Sequence, residues 1–140
     1  MYFDFLVLPE THCLSDEFIE IDNYTIFQNN RNVKGSRTHG SGGIAIAVNN
    51  CIFNYHSIVS FTKGIDGQIS LKIKNNLNEF TIGILGLYLS PQNYIYGNDP
   101  ETFFNEAAVL WDDLSDCDLR IGSGDLNART KNILMTSSQM

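Results

Sequence analysis

Apolar positions along this chain change their spacing several times, and each change predicts an element. Residues 3–9, "FDFLVLP", form an almost unbroken apolar run closed by Pro9, the pattern of a strand covered on both faces. "SDEFIEIDNY" follows, with Ser15 placed as a cap and acids behind it, and predicts a short helical or irregular segment. "GGIAIAV" alternates Ile44, Ile46 and Val48 behind paired glycines and reads as a strand. "QISLKI" alternates Ile69, Leu71 and Ile73, meets the polar turn "KNNLNE", and returns as "FTIGILGLYL" up to Pro91, which predicts a hairpin. After the loop "QNYIYGN", Asp99 is a good helix N-cap, Pro100 suits the first helical position and Glu101 the first turn. Phe103, Ala107, Leu110, Trp111 and Leu114 then recur at spacings of three and four, an amphipathic helix ending near Asp116. "CDLRIGSGD" reads as the last strand.

Strand, short segment, several strands, helix, strand is the order of an α/β sandwich of mixed sheets and excludes a helical bundle. The 140 residues make at most one domain, and 43% hydrophobic content is enough to bury a core. The apolar start carries Asp4, lacks a basic leader and is too short to span a bilayer, so no membrane partner is expected. Cys13, Cys51 and Cys117 are odd in number and far apart, which supports neither a disulfide framework nor a zinc site and suits a reducing, intracellular setting. They read as ordinary semi-buried thiols, His39 as a loop residue and His56 as a strand-edge residue.

A net charge of −7 argues at first against an anionic partner, but the charges fall in blocks. Residues 25–75 hold six bases (Arg31, Lys34, Arg37, Lys63, Lys72, Lys74) against Asp66 alone, whereas residues 1–24 and 76–118 hold acids and no Lys or Arg. A cation site needs local carboxylates and a phosphate polymer needs local bases; the chain has both. "GSGDLNAR" at 122–129 concentrates the question. Asp125, Asn127 and Arg129 alternate, so an extended segment presents them on one face behind glycines that admit another group closely. The same residues also compose an ordinary turn. Glu10 after the first strand, Tyr88 near the end of another, and Asp125 and Asn127 after the last all fall at strand ends, where α/β sites form.

Taken together, four segments resemble the endonuclease/exonuclease/phosphatase superfamily. "LVLPETH" is similar to its strand followed by "QETH", with Pro9 where Gln is usual. "GSGGIAIAV" resembles its Gly-Gly strand, "GLYLSPQN" its "N-x-Y-x-P" segment, and "GSGDLNAR" its "GGDFNAR", with Ser123 for Gly. The ETH and GD-x-N-A-R forms are most similar to the apurinic-type endonuclease domain of non-LTR (LINE-type) retrotransposons, over about residues 3–131. The resemblance implies a DNase I-like, four-layer α/β sandwich, here partial, of two mixed sheets flanked by helices. It implies Mg²⁺, or Mn²⁺ in its place, held by Glu10, and DNA as partner through its phosphate backbone. It also implies a Tyr88 hydroxyl on the scissile phosphate, Asp125 orienting or deprotonating the attacking water, Asn127 beside the phosphate and Arg129 on the backbone. Glu10 and Asp125 should then surround one cation. His12, in the ETH segment, does not match the family's catalytic histidine. A nuclear location follows if the chain belongs to a retroelement.

The family's first strand, with its metal-side asparagine, and its C-terminal aspartate and "S-D-H" segments have no counterpart between residues 1 and 140. The resemblance therefore implies a partial domain, a weak or inactive nicking endonuclease of marginal stability. A non-enzymatic remnant and a phosphatase of the same superfamily stand as alternatives.

Overall fold

The computed structural model describes residues 3–32, 40–91 and 99–127. In chain order these form β1 (Phe5–Pro9), β2 (Tyr24–Asn29), β3 (Ile44–Asn49), a 3₁₀ turn (Asn50–Asn54), β4 (His56–Lys63), β5 (Gln68–Asn75), β6 (Thr81–Tyr88), α1 (Pro100–Asp113) and β7 (Leu119–Asp125). The α/β class expected from the residue pattern is the class observed. One sheet is antiparallel in the order β1-β3-β2; the other runs β4-β5-β6-β7, antiparallel except for the parallel pair β6–β7. A parallel neighbour requires a crossover, and α1 supplies it.

The sheets face each other across one apolar core. Ile44, Ile46 and Val48 of β3 meet Ile69, Leu71 and Ile73 of β5 and Ile84 and Tyr88 of β6. Each such aliphatic side chain contributes about 1.5–3 kcal/mol by leaving water. On the far side of the larger sheet, Leu110 and Leu114 pack with Leu85, and Leu87, Trp111 and Cys117 border them. The helix begins as its residues predict: the Asp99 carboxylate accepts the Thr102 N–H at 3.0 Å, and Pro100 opens the first turn. It ends at Asp113, slightly before Asp116.

Two local expectations are corrected, and a third is resolved between its alternatives. The first strand is half-buried along its whole length rather than covered on both faces, because it is the edge strand of its sheet; Phe5 and Val7 turn to the core. An edge also tolerates Pro9, which has no N–H to give. Of the helical and irregular forms open to the segment after Ser15, the irregular one is observed, up to the start of β2 at Tyr24. Its backbone is held instead by amides from around β2: Gln28 accepts from Ile19 N (2.9 Å) and donates to Glu17 O (2.6 Å), while Asn30 donates to Leu14 O and Glu17 O at 2.8 Å each. The Cys51 residue is exposed rather than semi-buried, while Cys13 and Cys117 are intermediate and all three are thiols. As expected, His56 lies at a sheet edge, opening β4; His39 lies outside the described residues.

The core side of β7 carries Leu119, Ile121, Ser123 and Asp125, the register partners of Ile82, Ile84, Gly86 and Tyr88. β1 is the last strand of the opposite sheet, and Leu119 remains 45% exposed. No helix among the described residues is long and apolar enough to cross a membrane.

Candidate functional site at the strand ends

Three of the residues singled out by the motifs stand at strand ends, and two of them, Glu10 and Tyr88, line one cleft. Glu10 follows the last residue of β1, Tyr88 is the last of β6, and Asp125 the last of β7. Their approach is set by backbone bonds. Tyr88 and Asp125 are register partners in the parallel pair, and Leu89 N donates to Asp125 O at 2.9 Å. Side chains alternate along strands, so Asp125 shares the sheet face of Tyr88, the face turned toward β1.

Glu10 opens an irregular stretch that continues past β1 alongside the residues preceding β3. It and His12 have φ of 56° and 55°, the left-handed region, and the stretch is tied down by Thr11 N to Gly43 O (3.4 Å) and His12 N to Gly42 O (2.9 Å). The paired glycines thus do more than open a strand. Gly42 itself has φ of 58°, and a Cβ there would stand 2.5 Å from the Arg31 guanidinium carbon. Non-glycine residues hold such angles only where their surroundings over-determine them, a condition common at functional sites.

A cleft of about 130 Å³ is lined by Glu10, His12 and Tyr88 together with Arg31, Ser41, Gly42 and Pro91; Asp125 adjoins it through its register with Tyr88 and does not form its wall. Tyr88 is buried, and Glu10 and Ser90 lie within interaction range of its hydroxyl. Burial first, and then the Glu10 charge, push the phenol above its ordinary pKa. It therefore stays protonated at neutral pH and keeps a hydrogen to donate. His12 Nε2 lies 3.4 Å from Glu10 Oε1, so a histidine set aside by the family match lines the same cleft.

Asp125 and Asn127 form the turn that their residue types allowed rather than a continued extended face. Asn127 N donates to Asp125 Oδ1 at 2.8 Å, closing a turn, and Asn127 takes φ of 47°. Its side-chain amide donates to Leu89 O at 2.7 Å, clamping the segment after β7 to the end of β6. One amide hydrogen is thereby committed to the fold. Asp125, exposed and aligned with Tyr88, keeps oxygen lone pairs beyond that single bond. Arg129 lies outside the described residues.

Among the described residues no three or more His, Cys, Asp or Glu side chains converge as a metal cage. Carboxylate oxygens such as those of Glu10 and Asp125 suit a hard cation that keeps most of its ligands as water and substrate oxygens, the usual habit of Mg²⁺. The basic block is less available than its composition implied. Arg31 is 5% exposed and bound to Asp66 at 2.6 Å, and Lys72 is paired with Asp116 at 2.6 Å. Residue pattern had counted Arg31 among the charges facing a nucleic acid, whereas burial makes it part of the cleft wall. No protein-family model matches this sequence, and no curated protein matches it.

Proposed function

We propose that the chain carries a site for metal-dependent phosphodiester hydrolysis of the DNase I-like type, with DNA as substrate. The observation that carries the reading is the placement of Glu10, Tyr88 and Asp125 at strand ends, Glu10 and Tyr88 on one cleft and Asp125 in register with Tyr88. Mg²⁺, or Mn²⁺ in its place, would be held by Glu10 with water, and when bound would offset negative charge developing on the phosphoryl group. Tyr88, kept protonated by burial and by Glu10, turns its one hydrogen from the Glu10 carboxylate to a phosphoryl oxygen. Asp125 accepts a hydrogen from water and so aligns it for in-line attack. Asn127 acts first by fixing that carboxylate, and its second amide hydrogen can meet the phosphate. A lone metal carboxylate gives weak retention, so the expected activity is slow and close to background.

The test is nicking of supercoiled plasmid with protein in excess over DNA, in Mg²⁺ or Mn²⁺. Slow, metal-dependent nicking that disappears with chelator and in Asp125→Ala supports the proposal. Folded protein that never nicks would leave the remnant reading, and turnover of a small phosphate ester without nicking would indicate a phosphatase.

A further inference from the structure

Arg31 is among the buried charges of the chain, and no motif singles it out. It stands two residues beyond β2, with its side chain 6% exposed. Its contacts reach three separate segments. Nε bonds Asp66 Oδ2 at 2.6 Å in the β4–β5 turn, one terminal nitrogen bonds Ser90 Oγ at 2.6 Å just past β6, and the other reaches Ser41 Oγ at 3.5 Å before β3. The guanidinium also lies against the backbone of Gly42, where a Cβ would come within 2.5 Å. Gly42 is the residue whose carbonyl accepts His12 N, and Gly43 beside it accepts Thr11 N. One planar fork thus touches the strip to which the segment after Glu10 is bonded and reaches Ser90, two residues beyond Tyr88.

We propose that Arg31 is a positioning residue that sets Glu10 and Tyr88 relative to each other. Its link to metal binding rests on the phosphodiesterase reading; its effect on the Glu10–His12 segment does not. The chemistry favours arginine. Its rigid donors satisfy Asp66 and Ser90 together, while a lysine ammonium on a flexible stem is a point charge with no fixed fork. The left-handed angles at Glu10 and His12 need outside support, and the Gly42–Gly43 strip provides it while pressed on the guanidinium. Partners that orient metal-side groups typically change metal affinity by about 10–100-fold when lost.

The test uses the whole chain and two variants. Arg31→Met combined with Asp66→Leu removes the buried pair as a pair, a change that commonly leaves stability intact. Arg31→Lys keeps the charge beside Asp66 and removes the fork. Amide hydrogen exchange is read at Thr11 and His12, and Mn²⁺ affinity by electron paramagnetic resonance of the free ion. In both variants, with far-UV circular dichroism unchanged, Thr11 and His12 should lose protection while the β3–β5–β6 core keeps it. Mn²⁺ affinity should fall by about 10–100-fold. Unchanged protection at Thr11 and His12 in either folded variant overturns the proposal. Lost protection in a protein whose parent binds no Mn²⁺ upholds the positioning role and overturns the metal reading instead.

Discussion

Asn127 separates a structural from a chemical role more cleanly than any other residue of the site. Its amide bonds Leu89 O at 2.7 Å and its backbone sits at φ of 47°. Substituting alanine removes that bond and leaves the Leu89 carbonyl without this donor, a loss of about 1 kcal/mol. It also forces a side chain with no local hydrogen bond into the left-handed region, at about 1 kcal/mol more. Asn127→Ala should therefore cost about 2 kcal/mol, a shift of about 30-fold in the folded-to-unfolded ratio. Glycine takes the same angle without strain, so Asn127→Gly should lose only the hydrogen-bond share, about 1 kcal/mol. Urea unfolding followed by Trp111 fluorescence and by circular dichroism, with equal m-values, measures both. Equal losses in the two variants would refute the strain share. An alanine variant as stable as the parent would refute the clamp altogether and leave Asn127 a purely chemical role.

Other outcomes follow from the same structure. Gly67 has φ of 81°, and a Cβ there would stand 2.0 Å from Tyr88 O; Gly67→Ala should destabilise by at least about 2 kcal/mol and shift the Tyr88 end of β6, read as a lowered urea midpoint. Lys72 holds the Asp116 carboxyl below its usual pKa. The pair's contribution is thus present above the unfolded aspartate pKa and lost as pH falls through the lower folded value. Asp116→Asn should flatten that acid limb of the stability–pH curve by a small, salt-sensitive amount. Exposed Phe18 (83%), Val59 (51%) and Leu119 (45%) should make the folded protein bind a hydrophobic dye, and a Leu119→Ser variant should bind less.

The fold was legible where one physical pattern ruled a segment. Phe103, Ala107 and Leu110 all face inward from a helix capped by Asp99, and the β5–β6 hairpin follows its two alternating runs. β2 and β4 were hidden for different reasons. In β2 a polar Gln28 is buried because its amide holds the 15–24 segment. In β4 a bulge between Ile58 and Ser60 breaks the period of two on an exposed edge. β1 misled because an apolar run states a preference for burial and does not say how many neighbours a strand will have. The strand-end positions of Glu10, Tyr88 and Asp125 were legible from the residue pattern. The Arg31 network was not, since its members come from separate segments and only burial distinguishes that arginine from a solvated one.

The most direct test of a shared metal and phosphate site is paramagnetic broadening by Mn²⁺ in a ¹H–¹⁵N spectrum of this 15.7 kDa chain. Substoichiometric Mn²⁺ should broaden the amides of residues 10–12, 88–90 and 124–127 together, with Glu10→Gln abolishing the effect and core amides of β3 and β5 unaffected. Broadening confined to the acidic α1 surface, or a pattern unchanged by Glu10→Gln, would contradict the site.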